Sequence, residues 1–551
     1  MAFPWNWLVP AAVIVGVGLL TTAATRVPVP DAGAVLQAGV PNDLQPAVEA
    51  VNRELAVLRE QSGIAAAAPA DEFTIWRRLS LALHGTIPSL EEIRRFEADS
   101  APDRLQRWTA AMLEDPRFNS YFAERLARAC VGVEGGQFLI FRRDRFLDWF
   151  SEQLRTHVPY DQVVRDMVQG EGIWTGEGEV NFVTQGFNDG NLDENALTAR
   201  TVRAFLGQRI DCAQCHDHPF DHWKQTDFEG LAAYYGQVSV AVLGGVVEKQ
   251  GREFKVKDSQ TLEDREVKPS VPFNPEWLGE GGSRREQLAR WITHPENQRF
   301  EIATANRVWG LLFGRPFEMN RPVDDLPDPQ TNERLRVLEV LGRDFREHGY
   351  DLRRLIQVIA ATEAFHFDSR HPTDLAAETN ETGTSEDSGQ VDVLREAWAV
   401  FPLIRLRPEQ VIGAMLQANS LRTVDQNSHL FTRARRFFRE RDFVNEFGDL
   451  GVDELEGGAG TIPQALLRMN GDFAKETSEA TPFSSSGRIA ADAAGPEQIV
   501  ETVFLVCLTR KPTPEESAHF LAWFENQKRS RPAVEDLYWT LFNSPEFSWN
   551  H

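Results

Sequence analysis

Residues 211–223 read DCAQCHDHPFDHW and hold the chain's densest set of reactive side chains. Cys212, Cys215 and His216 form a C-x-x-C-H pattern. Two thiols at this spacing can each add to a vinyl group of one porphyrin. The imidazole that follows can then sit beneath the iron as the proximal ligand, so sulfur bonds hold the group without a deep apolar cage. The expectation is haem c on Cys212 and Cys215, with its iron on His216. A second chemistry uses the same atoms. Cys212, Cys215, His216, His218, Asp221 and His222 are six potential ligands within eleven residues. Four of them could close on zinc or another transition metal ion. A redox-active dithiol and a plain disulfide also stay open. The dithiol would want a strand before the cysteines and a helix directly after them.

The elements that must position this segment are helical. The stretch from Glu194 to Leu206 reads as a helix stopped at Gly207, and a loop carries the cysteines. Thr226 and Glu229 have capping-box spacing, and Phe228, Leu231, Tyr235 and Val238 give the next helix one apolar face. Phe220 and Trp223 are apolar enough to line a porphyrin. A distal ligand would come from Met112, Met167, Met319, Met415, Met469 or His218, and none is assigned. Cys130 and Cys507 lie in apolar helix patterns and read as buried and inert.

The rest of the chain reads as mainly α, two helical domains with a small β insertion after an N-terminal hydrophobic segment and a stalk. Residues 7–24, WLVPAAVIVGVGLLTTAA, carry no charge, so residues 1–26 are expected to be a signal peptide or membrane anchor. Residues 27–70 read as a stalk with one amphipathic segment, Leu44, Val48, Val51, Leu55 and Leu58. The first domain is expected over 71–237, with a capping box at Ser89 and Glu92. A β-rich insertion follows over 238–275, then a second domain over 276–551 with a polar, disordered loop at 371–391. Residues 171–195 read as a long Gly- and Asn-rich loop.

Composition narrows the function. The 551 residues include 58 Lys and Arg against 82 Asp and Glu, a net charge of −24, which disfavours nucleic acid as a partner. The basic run Arg433, Arg435, Arg436 and Arg439 reads as a solvated helix face, and the acids Asp449, Asp453, Glu454 and Glu456 miss the calcium-loop spacing. Nucleotide-loop, serine-hydrolase and zinc-protease signatures are absent from the sequence.

FLGQRIDCAQCHDHPFDHWKQTDFEGLAAYYGQV resembles the signature segment of a cytochrome-c-like domain common in planctomycete proteins. WRRLSLALHGTIPSLEEIRRF and LEDPRFNSYFAERLAR resemble its opening helices. RREQLARWITHPENQRFEIATANRVWGLLFGRPF, LTRKPTPEE and LYWTLFNSPEFSWNH resemble the partner domain that usually follows it. The resemblance spans about residues 71–549. It implies an exported protein of assumed cytochrome character, built from two domains of unknown function, with the family's Cys-x-x-Cys-His on Cys212, Cys215 and His216.

The leading expectation is therefore an extracytoplasmic, periplasmic and membrane-associated c-type haem protein, in electron transfer or in redox support of a partner protein. The alternative is a non-haem interaction scaffold with a structural zinc-like site. An accessory hydrolase for exported polysaccharide ranks last, because no acid/base pair is specified. The oligomeric state is not legible.

Overall fold

Helices begin where a short polar side chain can take up the free amides of a first turn. Asp71 accepts from Phe73 N and Thr74 N to open α1, Glu72–His84. Ser89 and Glu92 form the expected reciprocal box. Asp193 accepts from Ala196 N to open α2, Glu194–Leu206. The structure is a computed structural model. It describes residues 39–551 except 136–140, 174–175, 189–190, 241–244, 258–262, 330, 372–385, 426–454, 456–460 and 528–529. The apolar segment 7–24, the basic run and the acids Asp449, Asp453, Glu454 and Glu456 lie outside the described residues. Among those described, no helix is long and apolar enough to cross a membrane.

The architecture is mainly α with small antiparallel sheets. Gly172–Ile173, Gly245–Glu248 and Val238–Val240 form one sheet in that order, with Gly172 opposite Val246 and Val240 opposite Val246 on the other side. Phe254–Lys257 and Asp264–Val267 form a hairpin, and Ile404–Arg405 pairs with Trp549–Asn550. Four of these strands lie between residues 238 and 267. The three-stranded sheet also recruits Gly172–Ile173 from the segment expected to be all loop.

Apolar packing divides the chain elsewhere than the sequence suggests. One core is built mainly from residues 44–401. A second is built mainly from 406–547, together with Leu81 and Ile87. The label α3 is given to Gln225–Ala232 and α4 to Gln298–Phe313. The expected boundary at 275/276 crosses the first core, because α4 packs against α2 within it. The stalk is also corrected. Helix Leu44–Gln61 buries Leu44, Val48, Val51, Leu55 and Leu58 in the first core, so its apolar face is an integral wall of the domain. Within the polar loop expected at 371–391, residues from Glu386 onward belong to helix Glu386–Glu396.

The two cores are joined by charge as well as by apolar contact. Arg125 and Arg128, on helix Pro116–Val131, reach Glu409 Oε1 at 3.3 and 2.6 Å. Burial pushes the Glu409 carboxyl up, but Arg125 and Arg128 outweigh it and hold it at about 2. Glu409→Gln removes the carboxylate between two buried cations and is expected to lower the unfolding free energy by about 3 kcal/mol at neutral pH. A free Glu titrates near ~4.3. Because the folded value is depressed, the wild-type advantage is full above the unfolded value and is lost as pH falls toward about 2. Urea unfolding of both proteins across acidic pH measures this gap. A gap that does not narrow in acid contradicts it.

Candidate functional site

The thiol loop grows out of the end of α2. Gly207 takes φ 60°, the left-handed conformation that ends a helix at no steric cost to glycine. A side chain there would also press on Ala303 of α4 and on Leu326, which would stand 3.1 and 3.2 Å from its Cβ. The next residue, Gln208, is buried. Its Nε2 donates to Gly207 O and Leu326 O, and its Oε1 accepts from Trp223 Nε1 at 3.2 Å. Residues 208 and 223 are thereby tied together, and the segment between them forms a closed excursion. Ile210 and Ala213 are fully buried and anchor its first half. Arg203 of α2 grips Asp211 at 2.7 Å, directly before Cys212.

The rest of the loop faces solvent. A 3-10 turn, Asp211–Gln214, presents Cys212 and Cys215, both free and exposed. His216 is exposed, and its Nδ1 lies 2.8 Å from Asp217 O. A carbonyl can only accept, so Nδ1 donates, and in the neutral ring that tautomer leaves Nε2 as the nitrogen able to ligate a metal. His218 has the opposite arrangement. Its Nδ1 accepts from Phe220 N at 3.3 Å, which puts the ring proton on Nε2. His222 Nδ1 is held 2.5 Å from Asp221 Oδ1, and its ring stacks on Trp223 at 4.8 Å. Phe220 is 94% exposed, whereas Trp223 is buried.

These positions sort the sequence expectations. The structure brings Cys212, Cys215 and His216 to one exposed turn. It does not gather the six-residue metal set: among the described residues no group of three or more His, Cys, Asp or Glu side chains is arranged to hold a metal ion. His218, Asp221 and His222 are instead engaged with the loop's own backbone and with each other. Trp223 closes the loop at its base, which leaves Phe220 as the loop's exposed aromatic. The expected Thr226/Glu229 box is not formed. α3 starts at Gln225 because Asp227 accepts from Lys224 N and Asp217 accepts from Gln225 N, while Glu229 pairs with Arg265 at 2.6 Å. Of the methionines, Met112, Met167 and Met415 are core, and Met469 lies half-exposed on helix Ile462–Asn470, where its carbonyl accepts from Trp539 Nε1.

The other two cysteines are unavailable. Burial pushes the Cys130 thiol up to about 12, against the pull of Arg307 and Arg200. Burial likewise raises Cys507, with Arg77 opposing. Sequence reasoning misses Gln208 and the Arg203–Asp211 pair. A glutamine after a helix-ending glycine carries no marker of burial, and an eight-residue separation is not a helical spacing.

The residues present fit a covalently held haem. Two exposed, unbridged thiols are followed directly by an exposed imidazole whose Nδ1 is held by Asp217 O, and an exposed apolar ring lies four residues further along the same loop. No further ligand is fixed by this geometry.

Residues 50–240 match the family model described as PSCyt2, protein of unknown function (DUF1549), and residues 284–444 match PSD1, protein of unknown function (DUF1553). The first match begins inside helix Leu44–Gln61, in keeping with that helix's place in the core. No curated protein and no solved structure matches the chain.

Gln208→Leu removes the acceptor for the Trp223 indole and leaves that N–H without its partner. The His218 amide, bonded to Trp223 O at 2.8 Å, is expected to exchange with deuterium about tenfold faster, while amides of α1 keep their rates. Unchanged exchange at His218 contradicts the loop closure.

Proposed function

The chain joins the planctomycete cytochrome-c-like domain to its C-terminal partner domain of unknown function, and on that premise we propose a c-type haem protein serving electron transfer or redox support of a partner protein outside the cytoplasm, with residues 1–26 as its signal peptide or membrane anchor. One observation carries the reading. Cys212 and Cys215 are free and exposed on the same turn as an imidazole whose Nδ1 is committed to Asp217 O.

Each residue then has a defined task. Cys212 and Cys215 would each add S–H across one vinyl group, the sulfur bonding one carbon and the proton ending on the other, with no leaving group. His216 would offer Nε2 to the iron, and Asp217 O would hold the ring in the required tautomer. Phe220 would give up its exposure to water against the macrocycle face. Haem, when bound, supplies a reversible one-electron couple. The Arg203–Asp211 pair and the Gln208–Trp223 bond keep the turn in place. The uncharged N-terminus agrees with this chemistry, since covalent attachment needs reduced thiols on a chain delivered across a membrane.

Protein made in a host with haem-attachment machinery is expected to give a pyridine haemochrome with one haem per chain. Cys212→Ala or Cys215→Ala should shift its α-band to that of a single thioether. The double substitution should leave no haem after denaturing extraction. Absence of an α-band beside a control cytochrome that matures normally overturns the proposal. Stoichiometric zinc without porphyrin would assign the loop to a structural metal site instead.

A further inference from the structure

Next to the thiol loop, arginines outnumber the acids that face them. Arg200 and Arg203 are three residues apart on α2 and therefore share a face. Arg307 of α4 comes up against them, its Nη2 3.5 Å from Arg203 O. Arg203 has its carboxylate, Asp211, at 2.7 Å. Among the described residues, neither Arg200 nor Arg307 has a carboxylate within ion-pair distance, and Arg307 Nε is buried with no hydrogen-bond partner. Arg200 is half-buried and lies against the Gly132 turn, where a side chain at residue 132 would come within 3.3 Å of its Nη1. Burial draws the Arg200 guanidinium below its ordinary value, the Cys130 thiol opposes this, Arg203 adds to it, and Glu134, beyond ion-pair distance, also opposes it.

With 82 acidic residues against 58 basic, partners for cations are plentiful. More deeply buried arginines elsewhere in the fold are met by carboxylates, as Arg117 is by Glu92 and Asp115, or by several carbonyls, as Arg78 is. A desolvated guanidinium left short of partners is a standing cost that an anion would relieve. The planar guanidinium fork matches a carboxylate in bidentate fashion. The cluster begins where the loop begins, since Arg203 holds the residue directly before Cys212.

We infer that Arg200, Arg203 and Arg307 form a carboxylate-binding cluster beside the thiol loop, and that its ligand is the carboxylate edge of the tetrapyrrole the loop would hold. The inference rests on the haem reading given above and adds to it the residues that would take the propionates. A free dicarboxylate offers the same chemistry, and the test separates the two.

The full chain carrying Cys212→Ala and Cys215→Ala, which cannot capture a porphyrin covalently, is titrated with metal-free protoporphyrin IX and with its dimethyl ester, and binding is read from tryptophan quenching. The free acid is expected to bind about tenfold more tightly than the ester. Arg200→Gln and Arg307→Gln should each shrink that preference, and Arg200→Lys should keep part of it. A structural role alone would not move the acid-to-ester ratio. Equal affinities, no binding of either, or a ratio untouched by the substitutions overturns the inference. Succinate binding as tightly as the free acid, with the same dependence on Arg200 and Arg307, gives the cluster to a free dicarboxylate and overturns the tetrapyrrole assignment. Attachment to the unsubstituted chain is read separately. Thioether haem without an acid preference defeats the cluster alone, and an acid preference without thioether haem defeats the attachment alone.

Discussion

The bond between Gln208 Oε1 and the Trp223 indole fixes the candidate site. Both groups are buried, so neither can exchange its partner for water, and opening the pair would leave a donor and an acceptor unsatisfied in a dry environment. The bond makes the cysteine segment a loop with fixed feet. Closing those feet also decides what lies between them: Ile210 and Ala213 go inward, and Cys212, Cys215, His216 and Phe220 go outward. Gly207 and Leu326 extend the same junction to α4 and the loop that follows it, so the site is set by the partner domain as well as by its own.

That dependence is general in this fold. α1 carries Arg77 and Arg78 side by side, each serving a different neighbourhood. Arg77 donates to Cys507 O and Phe547 O of the second core. Arg78 donates to Phe365 O, Phe367 O and His551 O and lies 3.7 Å over the Phe401 ring. Burial lowers them to about 10 and about 9, values at which both keep their charge near neutrality. Carbonyl dipoles and, at Arg78, an aromatic face contact these buried cations directly, and Glu546, Asp368 and Asp71 favour their charge without an ion-pair contact. Neighbouring residues on one helix thus tie both cores and the last strand to a common support.

Local features of this design are legible in the sequence, and partnerships are not. Ser89 with Glu92, and Glu194 through Gly207, announce their helices because caps act within one turn. The apolar row Leu44 to Leu58 announces an amphipathic helix, but nothing local says that its partners are helices Arg336–Glu347 and Leu352–Ala360, some three hundred residues on. By its local pattern alone it reads as a stalk. The Thr226/Glu229 spacing misleads for a similar reason: Asp217, from inside the loop, claims the Gln225 amide and starts the helix earlier. The cysteine–histidine cluster is legible as chemistry, yet spacing cannot sort its six candidate ligands. The hydrogen bonds of His218 and His222 sort them, and those depend on how the loop folds back on itself.

The account turns on whether Cys212 and Cys215 become thioethers. Trypsin cuts after Arg209 and Lys224, releasing residues 210–224, IDCAQCHDHPFDHWK, from protein made alongside haem-attachment machinery. Mass spectrometry of that peptide after denaturation and alkylation should find one haem retained and no alkylated cysteine. Two alkylated cysteines and no added tetrapyrrole would contradict the account.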